Sequence, residues 1–199
     1  ADLVVNRGMI GGDVDLGGAA DIYRGRADGA VDGTVFGGEG ADLLKGARED
    51  DTMDGGAGLD TLRGGAGDDS LDGGDDVDRL SGGAGDDTVN GGLGVDTIKG
   101  GEGDDLLQDG GINSDSMFGG KGEDRLEASG GDNLMVGGAG DDEIISSSAG
   151  NDTIRGTRSG DVLDGGSGND FLSGEAGDDT LEGDRGDDRG LGPVSSRWL

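Results

Sequence analysis

From Gly37 onward a large apolar side chain returns every nine residues, with small, polar or charged residues dominating between. The apolar column reads Leu44, Met53, Leu62, Leu71, Leu80, Val89, Ile98 and Leu107. It resumes as Met117, Leu126, Met135, Ile144, Ile154, Leu163, Leu172 and Leu181. In units such as GGEGADLLK, GGAGLDTLR and GGAGDDTVN the apolar residue U sits in an x-U-x triplet behind a glycine cluster. The triplet predicts a very short strand whose alternating side chains send only U inward. Glycines at the first, second and fourth places allow the positive φ angles of a tight turn. Six residues of each unit are expected to turn and three to extend.

The sixth place is as regular as the apolar eighth. Aspartate holds it from Asp42 to Asp188 in steps of nine or ten, with Asn133 filling the single vacancy. Asp and Gly both favour turns, where Asp caps by hydrogen bonding, but that tendency does not demand aspartate at one place of nearly every unit. The full pattern, G-G-x-G-x-D-x-U-x, resembles the RTX family, the hemolysin-type calcium-binding repeats of bacterial secreted proteins. The resemblance runs from Gly37 to about Asp188, and phase kept over so many units makes chance agreement negligible.

The fold implied by this resemblance is all-β: a right-handed parallel β-roll, or β-helix solenoid, with two units per coil, two facing sheets and calcium ions in the turns. Coils stacked about 4.8 Å apart would set the aspartates in two edge columns. One edge would hold Asp42, Asp60, Asp78, Asp96, Asp115, Asn133, Asp152, Asp170 and Asp188, and the other Asp51, Asp69, Asp87, Asp105, Asp124, Asp142, Asp161 and Asp179. The family also implies that each calcium is held by the Asp carboxylates and glycine-turn carbonyls of two stacked turns, up to about fifteen ions in all.

Charge agrees with a cationic partner. Forty-five acidic against fifteen basic residues give a net charge of −30, which argues against nucleic acid or an anionic membrane as a partner. With no cysteine and no histidine, disulfides, thiolate chemistry and the usual zinc ligands are all missing, and hard oxygen donors remain. Fifty-one glycines and 3% aromatics leave few large apolar groups to offset the ordering entropy of the backbone. Unit charges at the coil spacing repel by roughly 1 kcal/mol per neighbouring pair in water and about 3–4 kcal/mol at an effective dielectric of 20. Summed along two edges, that outweighs a typical domain stability of about 5–15 kcal/mol. The metal-free roll is expected not to form.

The breaks in phase are informative. Spacing stretches to ten between Asp105 and Asp115 and between Asp142 and Asp152, inserting one residue near Asp109 and one near Ser146. Both insertions precede turns of the edge that carries Asn133, so weaker or missing ions are expected from Asp115 to Asp152. Glu49 and Ser159 stand at the fourth place, where positive φ would strain them, while Asp76 and Asn113 tolerate it better. Fifth-place acids such as Asp68, Asp86, Asp104, Asp141 and Asp178 read as solvated rim charges.

Three regions are expected: residues 1–36 as an irregular opening coil, 37–188 as the repeat array, and 189–199 as a cap or tail. Gly190 ends the apolar column, Pro193 disfavours further strand pairing, and Trp198 and Leu199 are candidates to cover the last coil. No apolar run approaches the ~18 residues of a membrane span, and ADLVVNRGMI lacks the layout of a secretory signal. The expected function is binding of many calcium ions with coupled folding, outside the cell or on the bacterial surface, after export that the family routes through type I secretion. No nucleophile–base constellation stands out, so no catalysis is expected. The alternatives are a calcium-binding module of a secreted protease, lipase or epimerase, or a surface-layer or adhesin component assembling with other surface subunits.

Overall fold

The computed structural model describes residues 1–26, 29–146, 149–192 and 197–198. Its strands form two eleven-stranded sheets and one two-stranded sheet, all paired in parallel. Successive strands of the repeat alternate between the two large sheets. Thr61–Ala66, Arg79–Ala84 and Thr97–Glu102 are neighbours in the first, and Thr52–Ala57, Ser70–Asp75 and Thr88–Leu93 in the second. Pairing is therefore between residues two units apart, Leu62 with Leu80 and Met53 with Leu71. This is a β-solenoid of the β-roll type, and no helix occurs among the described residues.

Every U residue is buried, and Tyr23 and Val35 extend the column toward the N-terminus. Each large aliphatic side chain so placed stabilises the roll by about 1.5–3 kcal/mol. Many of the strands are nevertheless twice the length of the predicted triplet. Ser70–Asp75 runs from the seventh place of one unit to the third place of the next, and burial alternates so that both Leu71 and the first-place Gly73 face inward. The cause is stacking: Gly74 pairs with Gly56 on one side and Gly92 on the other, giving the glycine backbone partners that local propensity cannot reveal.

Positive φ belongs to the second and fourth places, as in Gly56 (98°) and Gly58 (133°), but not to the first. Ser159 (79°) and Asp76 (78°) accept it at the fourth place, whereas Glu49 and Asn113 turn without it.

Residues 1–36 are more regular than expected. Ile22–Gly25 pairs with Leu43–Lys45, and Thr34–Glu39 pairs with Thr52–Ala57, so both belong to the large sheets. The irregularity is confined to Ile10–Gly11 and Val31–Asp32, which pair off separately. At the other end Gly190 lies opposite Leu172. Pro193 and Leu199 lie outside the described residues, yet pairing resumes beyond Pro193, with Trp198 opposite Leu181, contrary to the expectation that proline ends it.

The charge is unevenly placed. On the outer face of the first sheet, Arg24, Lys45, Arg63, Arg79 and Lys99 occupy five consecutive strands that carry no acid at the neighbouring outward place. The second sheet carries Asp54, Asp72, Glu127, Glu143, Asp164 and Glu182 at outward places, Asp72 and Glu182 exposed and the others half-buried.

Candidate metal centre

The short turn of places four to six ends each glycine segment on an aspartate, and stacking brings these aspartates together. Asp42, Asp60, Asp78, Asp96, Asp115, Asn133, Asp152 and Asp170 form one buried column, which the half-buried Asp188 ends. Asp51, Asp69, Asp87, Asp105, Asp124, Asp142, Asp161 and Asp179 form the other. The two columns predicted from spacing are thus the two edges of the roll.

Within a column each carboxylate uses one oxygen on the protein. Oδ1 of Asp78 accepts the backbone N–H of Asp60 at 2.7 Å, and Oδ1 of Asp96 accepts that of Asp78 at 2.8 Å. The opposite edge repeats this from Asp51 to Asp179, with 2.8 Å from Asp69 N–H to Asp87 Oδ1. The second oxygen is different. Oδ2 of Asp42, Asp60, Asp69, Asp78, Asp87, Asp96, Asp105, Asp115, Asp124, Asp142, Asp161 and Asp170 is buried without a donor, as is Oδ1 of Asp51. A buried carboxylate oxygen left unpaired is costly, and a whole row of them has the chemistry of hard-cation ligands.

The first-place glycine makes room for that oxygen. A Cβ added to Gly55 would lie 2.7 Å from Asp60 Oδ2 and 2.6 Å from the Gly73 carbonyl. A carboxylate oxygen and a backbone carbonyl of the next coil therefore converge where a side chain would otherwise be. Mixed carboxylate and carbonyl oxygens suit calcium, which tolerates irregular geometry.

Burial pushes these acids upward, the stacked N–H opposes the shift, and neighbouring acids add to it. Asp69, Asp78, Asp105, Asp142 and Asp161 rise to about 7. Asp60, Asp87, Asp96, Asp124 and Asp170 rise to about 6.

The edge with the insertions departs from this scheme. Asn133 donates its amide to the Gly130 and Gly131 carbonyls at 3.1 and 3.3 Å. Asp152 Oδ2 accepts Ser146 Oγ at 2.7 Å. Ser146 and Asp109, near which the sequence places the insertions, both pair with Ala128 and so stand in the column of first-place glycines. Asp109 is buried, and burial followed by the facing Asp115 carboxyl pushes it up to about 8.

Sequence reasoning also missed Asp21, which is buried and stacked, its N–H donating to Asp42 Oδ1 at 2.6 Å. Gly17-Gly18 before it and Tyr23 two residues after it were the available signal, hidden by a 21-residue step to Asp42. The fifth-place acids are exposed but not idle. Asp68 Oδ1 accepts the Asp86 N–H, and Asp86 Oδ1 accepts the Asp104 N–H, each at 2.9 Å, a ladder running opposite to that of the sixth place.

Seven overlapping or adjoining stretches, residues 29–62, 36–71, 54–89, 72–107, 109–144, 142–172 and 155–189, match the family described as RTX calcium-binding nonapeptide repeat (4 copies). The chain belongs to this family, and calcium is its ligand. No curated protein matches the chain.

Proposed function

We propose that this RTX repeat chain is a calcium-folded rod that operates outside the cell or on the bacterial surface, with the sixth-place aspartates of both edges as its ligands. Residues 1–36 supply the opening coils, 37–188 the binding array and 189–199 the closing segment. The observation that carries this reading is the row of buried, donorless carboxylate oxygens beside first-place glycines. Without cations the row places like charges on adjacent coils, and with them the same oxygens become the inter-coil adhesive.

Because no such site exists in the unfolded chain, binding free energy becomes folding free energy. A chain of this kind stays unfolded where calcium is scarce and folds on reaching the roughly 10⁻⁴–10⁻³ M affinity range of extracellular modules. That logic suits export as an unfolded polymer followed by folding outside. The chain's work is mechanical and structural rather than catalytic.

Circular dichroism in excess chelator tests this. The β signal should be absent, should return cooperatively with millimolar calcium and should return poorly with magnesium, whose tighter octahedral demand the carbonyl-rich turns do not meet. An unchanged β signal in chelator would sink the reading.

A further inference from the structure

We propose that Asp109 adds a third carboxylate to the inter-coil position between Asp96 and Asp115, making it a calcium site that fills first during loading. It rests on the reading that the sixth-place columns bind calcium. It reverses the expectation that the first insertion weakens its edge.

Register carries the argument. In the second sheet, Leu107 pairs with Val89 and Gln108 with Asn90, so the next residue, Asp109, follows in line with Gly91. On its other side Asp109 pairs with Ala128. The inserted length is therefore taken up by the loop after it, and Asp109 stands where the repeat places glycine. Its side chain enters the space that the glycine column keeps open.

Three buried carboxylates then meet. Asp96, Asp109 and Asp115 are 1%, 3% and 2% exposed, and one oxygen from each lies within 4.8 Å of the others. Each keeps an oxygen with no donor: Asp96 Oδ2, Asp109 Oδ1 and Asp115 Oδ2. Two of these aim at one point, since a Cβ on Gly91 would lie 2.7 Å from Asp109 Oδ1 and 3.0 Å from Asp96 Oδ2. Asp109 Oδ2 is anchored by the Gly111 N–H at 3.2 Å, which fixes the carboxylate. Ile98 Cδ1 lies 2.8 Å from the same Gly91 point, giving the site an apolar floor. A surface recess of about 520 Å³, lined by Gln108, Gly110, Arg125 and Ala128 among others, borders Asp109.

An ordinary inter-coil site offers carboxylates from two stacked coils, and this one adds a third. Calcium affinity rises with ligand charge, which the third carboxylate raises here. The next coils of the same edge go the other way, because Asn133 and Ser146 supply protein donors of their own. One edge thus holds both its tightest site and its poorest stretch.

The test is ion counting on the full chain across buffered free calcium, by equilibrium dialysis, for wild type, Asp109→Asn and Asp109→Gly. The glycine variant restores the repeat residue and guards against a folding artefact. Wild type should take up one ion at about tenfold lower free calcium than the cooperative remainder. Both variants should lose the early step, that ion being taken up with the cooperative remainder instead. A single cooperative step in wild type, or an early ion retained in both variants, overturns this site while leaving the roll-wide reading intact. No calcium uptake by any of the three overturns both.

Discussion

Asp87 holds the backbone N–H of Asp69 on its Oδ1 at 2.8 Å while its Oδ2, buried beside Gly82, meets no donor at all. One carboxylate thus splits its work between stitching two coils and presenting a ligand. Its neighbour Asp86 is exposed and only accepts the Asp104 N–H. Asp87→Ala should raise the calcium midpoint for folding several-fold, because two sites share this residue and nearest-neighbour coupling spreads the loss. Asp86→Ala should cost no more than a typical hydrogen bond, about 0.5–1.5 kcal/mol, and shift the midpoint little. Equal midpoints for the two variants would show that the sixth place is not the ligand position.

Acid should substitute in part for calcium. The unfolded carboxylates titrate near 3.9, whereas those of the metal-free roll are raised to about 6–7. The folded state therefore binds protons that the unfolded chain has released. Its stability is fullest below about 4 and is lost as pH rises through about 6–7. In chelator, β signal should grow on acidification from pH 8 to pH 5, and the calcium midpoint for folding should not rise over that range, because protonation itself favours the folded state. A β signal in chelator that does not grow down to pH 5 would contradict the burial of the columns.

Where the sixth-place carboxylate folds back against it, the first-place glycine is held by space rather than by turn geometry. Gly82 lacks positive φ, but a Cβ there would sit 2.2 Å from Asp87 Oδ2. Gly82→Ala should destabilise the calcium-loaded roll by about 1–3 kcal/mol, as overpacking does. Gly18→Ala, with nothing within 4 Å of the added carbon, should be nearly silent. Calcium-dependent melting of both variants makes the comparison.

Asn133 offers a gain-of-site test. Its amide satisfies the Gly130 and Gly131 carbonyls, which elsewhere would be free for a cation. Asn133→Asp should remove those donors, restore the column charge and add one bound calcium in native mass spectrometry. An unchanged ion count would mean that the coil is closed to metal by its Ala128 and Ser146 neighbours rather than by the amide.

Much of this was legible in the chain. The apolar column from Leu44 to Leu181 is buried throughout, and the sixth-place aspartates do segregate into two edges, because a strict period leaves a solenoid little freedom in what stacks on what. Legibility failed where a residue's role depends on its neighbour in the next coil. Asp68 and Asp86 read as solvated charges because sequence does not reveal that each caps the N–H one coil on. Asp21 was passed over because its coil is longer by three residues, although Tyr23 behind it is fully buried.

Sequence alone determined the period, the inward apolar column, the two ledgers of like charge and, through hard oxygen ligands and family pattern, the choice of calcium. These follow from local chemistry repeated in phase. Tertiary structure decided the rest. It lengthened the strands, because Gly74 finds hydrogen-bonding partners only in Gly56 and Gly92. It made the first-place glycine a matter of space rather than φ, because the carboxylate of Asp60 folds back against Gly55. And it placed Asp109 in the glycine column beside Asp96 and Asp115, because pairing register, which no linear spacing encodes, decides which extra residue stays in the strand and which is looped out.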